Sequence, residues 1–226
     1  MRRSSPGCKA DGVPPDPMNG ASRSTVGARV LVALGLWLAI ATVLSTLGAW
    51  ERIRIPMPVV VPALVGILLG VIALNARVRV WVYALDPRWL VALHLVRFVG
   101  FLFVVMYQRG ELPWAFAVPG GWGDIVVGCT AAVLLVAVLP VRSRTSWRLL
   151  LIWNLAGLTD ILFVVSTALR LFLSDPPSMS ALLRLPLSLL PAFFVPLIIV
   201  SHLILFVWLK HHRGNGNSNA FADAPF

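Results

Sequence analysis

Five polar residues of kinds that water ordinarily keeps lie inside long apolar stretches of this sequence: His94, Arg97, Asn154, Asp160 and His202. Asp124 opens another such stretch. An ionisable side chain at the centre of a membrane helix costs about 2.5 to 3.5 kcal/mol on insertion scales, so each needs a partner or water. Arg97 and Asp160 carry opposite charges and form the leading pair. At a rise of about 1.5 Å per residue, Arg97 lies ~12 Å along its helix from Trp89, and Asp160 ~20 Å from Trp147. The reach of arginine closes much of that difference. One reading is a buried pair that orders a helix bundle; the other is a proton or ion relay, or an anchor for an anionic ligand.

His94 and His202 form a second constellation, ~8 Å from Trp89 and ~9 Å from Trp208 by the same rise. Two neutral imidazoles at matched depth on adjacent helices have the chemistry to ligate haem iron, with Arg97 one turn from His94 and within reach of a propionate. A haem b bound by His94 and His202 is therefore one reading. The plainer one is a pair of core histidines hydrogen-bonded to groups such as Asn154 or Ser201. Asp124, after Gly-Trp-Gly, is placed to cap the first turn of a helix and meet its positive dipole end. Glu111, in an apolar loop, is a candidate to join Asp124 and Arg109 in an outward-facing polar pocket, though an ordinary solvated loop is the favoured account. No HExxH, Walker loop, GxSxG or paired intramembrane aspartate motif occurs, which disfavours an enzyme. No metal-ligand spacing selects a metal.

The elements that must position these groups follow from composition. The chain has 226 residues, 58% hydrophobic and only 12% charged, with a mean hydropathy of +0.86. Such a chain cannot have water as its main solvent. Its apolar runs approach or exceed the ~18 residues that a bilayer demands of a helix. The sequence predicts an all-α, polytopic transmembrane bundle over 29–209, with six spans at about 30–49, 58–74, 89–107, 124–139, 149–173 and 190–209. Residues 1–28 and 210–226, rich in small and polar types, read as disordered tails. The first apolar run is too long for a cleaved signal peptide and reads as a retained anchor. The two cysteines, Cys8 in a tail and Cys129 in a span, are kept apart by the membrane, so no intramolecular disulfide is expected.

A formal charge of +10 would suggest nucleic acid in a soluble protein. Here the basic residues flank apolar runs, with no basic stretch interleaved with stacking aromatics, so nucleic acid is not expected. The expected partner is the anionic cytoplasmic leaflet. On alternate sides of six spans, thirteen Lys and Arg stand against five, which puts both tails in the cytoplasm. Trp50, Trp114 and Trp122 then mark the outer boundary and Trp81, Trp89, Trp147 and Trp208 the inner one. Two connections look like more than tethers. Residues 108–123 read as an outer loop able to dip into the membrane boundary, and 175–191 as an interfacial helix or a kinked extension of the last span. Gly66 and Gly70 form a GxxxG, expected to serve helix packing within one chain, with a homo-oligomer as the alternative.

The stretch from Arg97 through GELPWAFAVPGGWGD, then Trp153-Asn154 with Asp160, then LPLSLLPAFFVP with His202, resembles uncharacterised bacterial multi-span inner-membrane proteins. The likeness covers roughly Trp89 to Leu209. It implies a compartment, the cell's inner (plasma) membrane, and no activity. Three functional readings stand open: small-solute or ion transport, with proton coupling as one form, through Arg97, Asn154, Asp160 and His202; a bis-His haem b redox protein; and a non-catalytic scaffold or lipid-interacting protein.

Overall fold

The computed structural model of the chain describes residues 20–52 and 57–212. Among them every regular element is helical. Helix α1 (Gly20–Thr46) is followed by a short turn of helix, α2 (Ala49–Arg52), then α3 (Met57–Leu74) and α4 (Ala76–Tyr83). A composite helix comes next: α5 (Pro87–Ala92), a 3-10 stretch (Leu93–Val99) and α6 (Gly100–Gln108). Then come α7 (Trp114–Val133), continued by a π-helical turn to Val138, and α8 (Arg144–Ser174). Last is α9 (Val195–His212), preceded by a π-helical turn at Leu190–Phe194. Five of these helical stretches are long and apolar enough to cross a membrane, or six if α3 and α4 count as one bent span.

The outer surface carries many exposed apolar side chains. Leu31 on α1, Leu74 on α3 and Val136 beyond α7 expose 67%, 91% and 89% of their area, which no packed soluble core of this size would leave to water. By contrast, 67% of the most apolar window within Leu190–His212 is buried, against 11% of that within Ser24–Thr46. The fold is therefore a core of the composite helix, α7, α8 and α9, with α1 leaning on its side.

Several boundaries differ from those read in the sequence. Helix α1 begins at Gly20, so residues 20–28 continue a helix rather than belong to a tail; the rest of the N-terminal tail, and the C-terminal one from residue 213, lie outside the described residues. Residues 75–88, read as a loop, contain α4, set at 101° to α3. Asn75 makes that corner, because its Oδ1 accepts the Arg77 and Val78 amides at 3.1 and 3.2 Å and so starts a new helix. Helix α7 starts at Trp114, ten residues before the expected span. Pro113 precedes it and accepts the first amides, so the Pro- and Gly-rich segment is mostly helix. In a bilayer, helix is the one state in which an isolated segment satisfies its own backbone. Asp124 thus sits inside α7, not at its cap. Residues 175–191 hold a 3-10 helix at Pro176–Leu183, then turns.

Among the described residues, no other element closes on Gly66 or Gly70. A Cβ on either would meet no described atom within 4 Å. The close approaches fall elsewhere: a Cβ on Gly121 would lie 2.8 Å from the Gly100 carbonyl oxygen, and one on Gly100 would collide with the Gly121 carbonyl. These two glycines let α6 and α7 touch backbone to backbone.

Two apolar clusters fill the core. One contains Phe103, Phe116, Ile161, Phe172 and Ile198; the other contains Val91, Val127, Leu150, Trp153 and Leu205. On each core helix the polar residues fall between the two sets: His94 and Arg97, Asp124, Asn154 to Asp160, and Ser201 with His202. The chain therefore holds a polar layer sandwiched between two apolar ones.

Candidate functional site

Four helical segments deliver that layer. Arg97 comes from the 3-10 stretch and is 1% exposed. Its Nε donates to Asp124 Oδ1 on α7 at 2.7 Å, its Nη1 donates to the Gly157 carbonyl on α8 at 3.0 Å, and its Nη2 pairs with Asp160 Oδ2 on the same helix. The guanidinium fork is the side chain suited to this, since it offers several coplanar N–H donors to carboxylates. Asp124 is buried, while the Asp160 side chain retains 18% of its exposure. Asn154, Gly157 and Asp160 succeed each other at three-residue intervals, which places them along one face of α8. Gly123 leaves room for the Asp160 carboxylate, into which a Cβ there would run.

The histidines lie alongside, both fully buried. His94 Nε2 is 3.0 Å from Ser201 Oγ, and that hydroxyl gives its single proton to the Ile198 carbonyl at 2.8 Å. The serine can then only accept, so the proton of His94 is on Nε2. His202 Nδ1 is 2.8 Å from Asn154 Oδ1, while Asn154 Nδ2 donates to the His202 carbonyl at 3.1 Å. By the same logic His202 carries its proton on Nδ1. What remains is a bare ring nitrogen on each, His94 Nδ1 and His202 Nε2, and neither has a hydrogen-bond partner. His202 leans against Gly157, where a Cβ would come within 2.7 Å of its Cε1 and 3.1 Å of Nε2. Trp153 stands edge-on to His94 at 4.9 Å between ring centroids and donates its indole N–H to the Val127 carbonyl at 3.3 Å.

The two imidazoles touch each other, with centroids 4.3 Å apart and planes at 53°. That contact leaves no slot for a porphyrin between them, so the haem b reading of His94 and His202 does not fit this arrangement. Nor do the described residues contain a group of three or more His, Cys, Asp or Glu placed to hold a metal ion.

Arg97, Asp124, Asp160, Asn154, His94 and His202 thus form one hydrogen-bonded and ring-packed neighbourhood. Glu111 does not join it. It lines a separate hollow of about 400 Å³ with Ser178, Ser180 and Arg184, to which Asp124 and Arg109 contribute nothing. Arg184 donates through Nε to Glu51 at 2.7 Å beside that hollow. A second, narrower crevice of about 50 Å³ runs between apolar walls that include Phe103, Val164 and Leu190, and reaches Arg97 and Asp124. Gly157, which the sequence reading passed over, has a carbonyl that holds Arg97 and a face that admits His202. Its signal was its three-residue spacing from both Asn154 and Asp160.

A family model described as "Domain of unknown function (DUF8737)" matches residues 53–210. The chain belongs to that family. The match takes in α3 through most of α9, hence every residue of the polar layer, and leaves α1 outside. Among curated proteins and among solved structures, nothing matches the chain. The function of this DUF8737 chain must therefore be read from its own site.

Proposed function

We propose that this is an ion-transport protein of the plasma membrane, with six spans and both ends in the cytoplasm, whose buried polar layer is the conducting path. The excess of Lys and Arg on one side of the spans supports the orientation. One observation carries the transport reading: a guanidinium, two carboxylates and two imidazoles with unpartnered nitrogens share one buried layer between apolar layers. Buried polar groups without partners are rare in proteins because each costs free energy, and a functional role is one reason to keep them.

A specific observation favours the scaffold reading as runner-up. The guanidinium is held on all three of its nitrogens by the protein itself, as a lock between helices would be. The two readings separate in a flux assay. Purified full-length protein is reconstituted into liposomes enclosing a pH-sensitive dye, and an inside-negative potassium diffusion potential is imposed with valinomycin. Transport predicts acidification well above that of protein-free liposomes, and at least about tenfold slower in Asp160→Asn, the scale of one lost charge interaction of roughly 1.4 kcal/mol. Dye traces equal to those of empty liposomes, with alkali-cation and chloride fluxes also at baseline, would leave the scaffold.

A further inference from the structure

We propose that the species carried is the proton and that its acceptor is His202 Nε2, with His94 Nδ1 as the second bare nitrogen beside it; this deepens the transport reading and rests on it. Three independent features converge here.

The first is tautomeric. Hydrogen bonds fix the proton of His202 on Nδ1 and that of His94 on Nε2, so each ring presents a lone pair rather than an N–H to its unpartnered side. A buried lone pair facing no donor is chemically a vacant proton seat. The Gly157 backbone lies against His202 Nε2, so an N–H formed there faces the residue whose carbonyl already accepts from Arg97.

The second is charge. The titratable and charged groups of the layer are His94 and Arg97 on the composite helix, Asp124 on α7, Asp160 on α8 and His202 itself on α9. One guanidinium set against two carboxylates leaves a single formal negative charge in a medium of low dielectric. One added proton cancels it.

The third is size. The crevice of about 50 Å³ that reaches Arg97 and Asp124 has no room for a metabolite. Its walls are apolar, with Arg97 and Asp124 as the charged residues that line it. In the transfer step a hydronium loses an O–H bond, the Nε2 lone pair gains an N–H bond, and a water is left; release is the reverse.

Nitrogen-15 magic-angle-spinning spectra of the full chain, labelled at histidine and held in lipid bilayers, test this without any flux. The chain has four histidines, and His94→Gln and His202→Gln each remove one set of signals and so assign the rest. At neutral pH the expected result is one unprotonated Nε2 from His202 and one unprotonated Nδ1 from His94. Acidifying the sample should convert the His202 Nε2 signal to the N–H type before that of His94. A His202 Nε2 that already bears hydrogen at neutral pH would overturn the proposal. So would one that never gains hydrogen while a carboxylic-acid carbonyl band, lost in Asp160→Asn, appears in the infrared spectrum. The outcomes also divide from those of the flux assay. Nε2 protonation without flux removes the transport reading and keeps the acceptor; flux without Nε2 protonation does the opposite.

Discussion

Gly66 and Gly70 on α3, and Gly100, Gly121 and Gly157 in the core, are the same residue in equally apolar helices, yet they do opposite things. The α3 pair has the spacing associated with helix association, yet a Cβ on either glycine would meet no described atom within 4 Å. The core glycines have no such conspicuous pattern and sit where any Cβ would strike a neighbouring carbonyl, carboxylate partner or imidazole. Small residues matter in membrane proteins where two backbones must meet, and spacing alone does not say where that is. In this chain they meet around the polar layer. Close packing and buried charge are therefore one design: Gly100 and Gly121 bring α6 against α7 so that Asp124 reaches Arg97, and Gly157 admits His202 beside the carbonyl that Arg97 holds.

The contrast can be broken most severely at Arg97. Arg97→Met removes the one cation from two carboxylates and should cost about 3 to 5 kcal/mol, as expected when one partner of a buried ion pair is deleted. Thermal melts followed by circular dichroism in bicelles would show it, and a melt unchanged from wild type would mean the carboxylates are solvated and the layer is open. Overpacking comes next. Gly121→Val should lower stability by about 1 to 3 kcal/mol, because the Gly100 carbonyl cannot withdraw without moving α6. The same melts would report it. Ser201→Ala leaves the His94 Nε2–H without its acceptor and should cost about 1 to 3 kcal/mol. At the other side of the comparison, Gly66→Ala and Gly70→Ala should raise helix stability by up to about 1 kcal/mol, the difference in helix propensity between the two residues. A loss as large as that of Gly121→Val would show that α3 does pack through this face, with a second copy of the chain as the partner.

Composition and run length made legible the helices long and apolar enough to cross a membrane, because a bilayer leaves few alternatives to a helix of fixed length. The polar residues inside the runs pointed to the site for the same reason: each is expensive where it sits. What the sequence hid was helix phase and partner. Asp124 looked like a cap because the proline and glycines of AFAVPGGWGD signal a loop in water, whereas here Pro119 lies within α7 and the glycines serve contact. Arg97 was matched with Asp160 by depth alone, and a depth estimate carries no information on which face of α7 Asp124 presents; hence the second carboxylate was missed as a partner. Residues 75–88 gave up α4 only through Asn75, a single capping residue followed by too few apolar positions to show a period. The Glu111 pocket failed for a related reason, since proximity in a loop says nothing about which distant segment, in this case 177–185, closes over it.

One guanidinium, that of Arg97, bridges two carboxylates from different helices. The most direct test is a dipolar-recoupling measurement between nitrogen-15 in the arginine side chains and carbon-13 in the aspartate carboxyls, in full-length protein in lipid bilayers. Arg97 should show short contacts to two carboxyl carbons, one lost in Asp124→Asn and the other in Asp160→Asn. A guanidinium in contact with neither carboxyl, or with one alone in the wild-type protein, would contradict it.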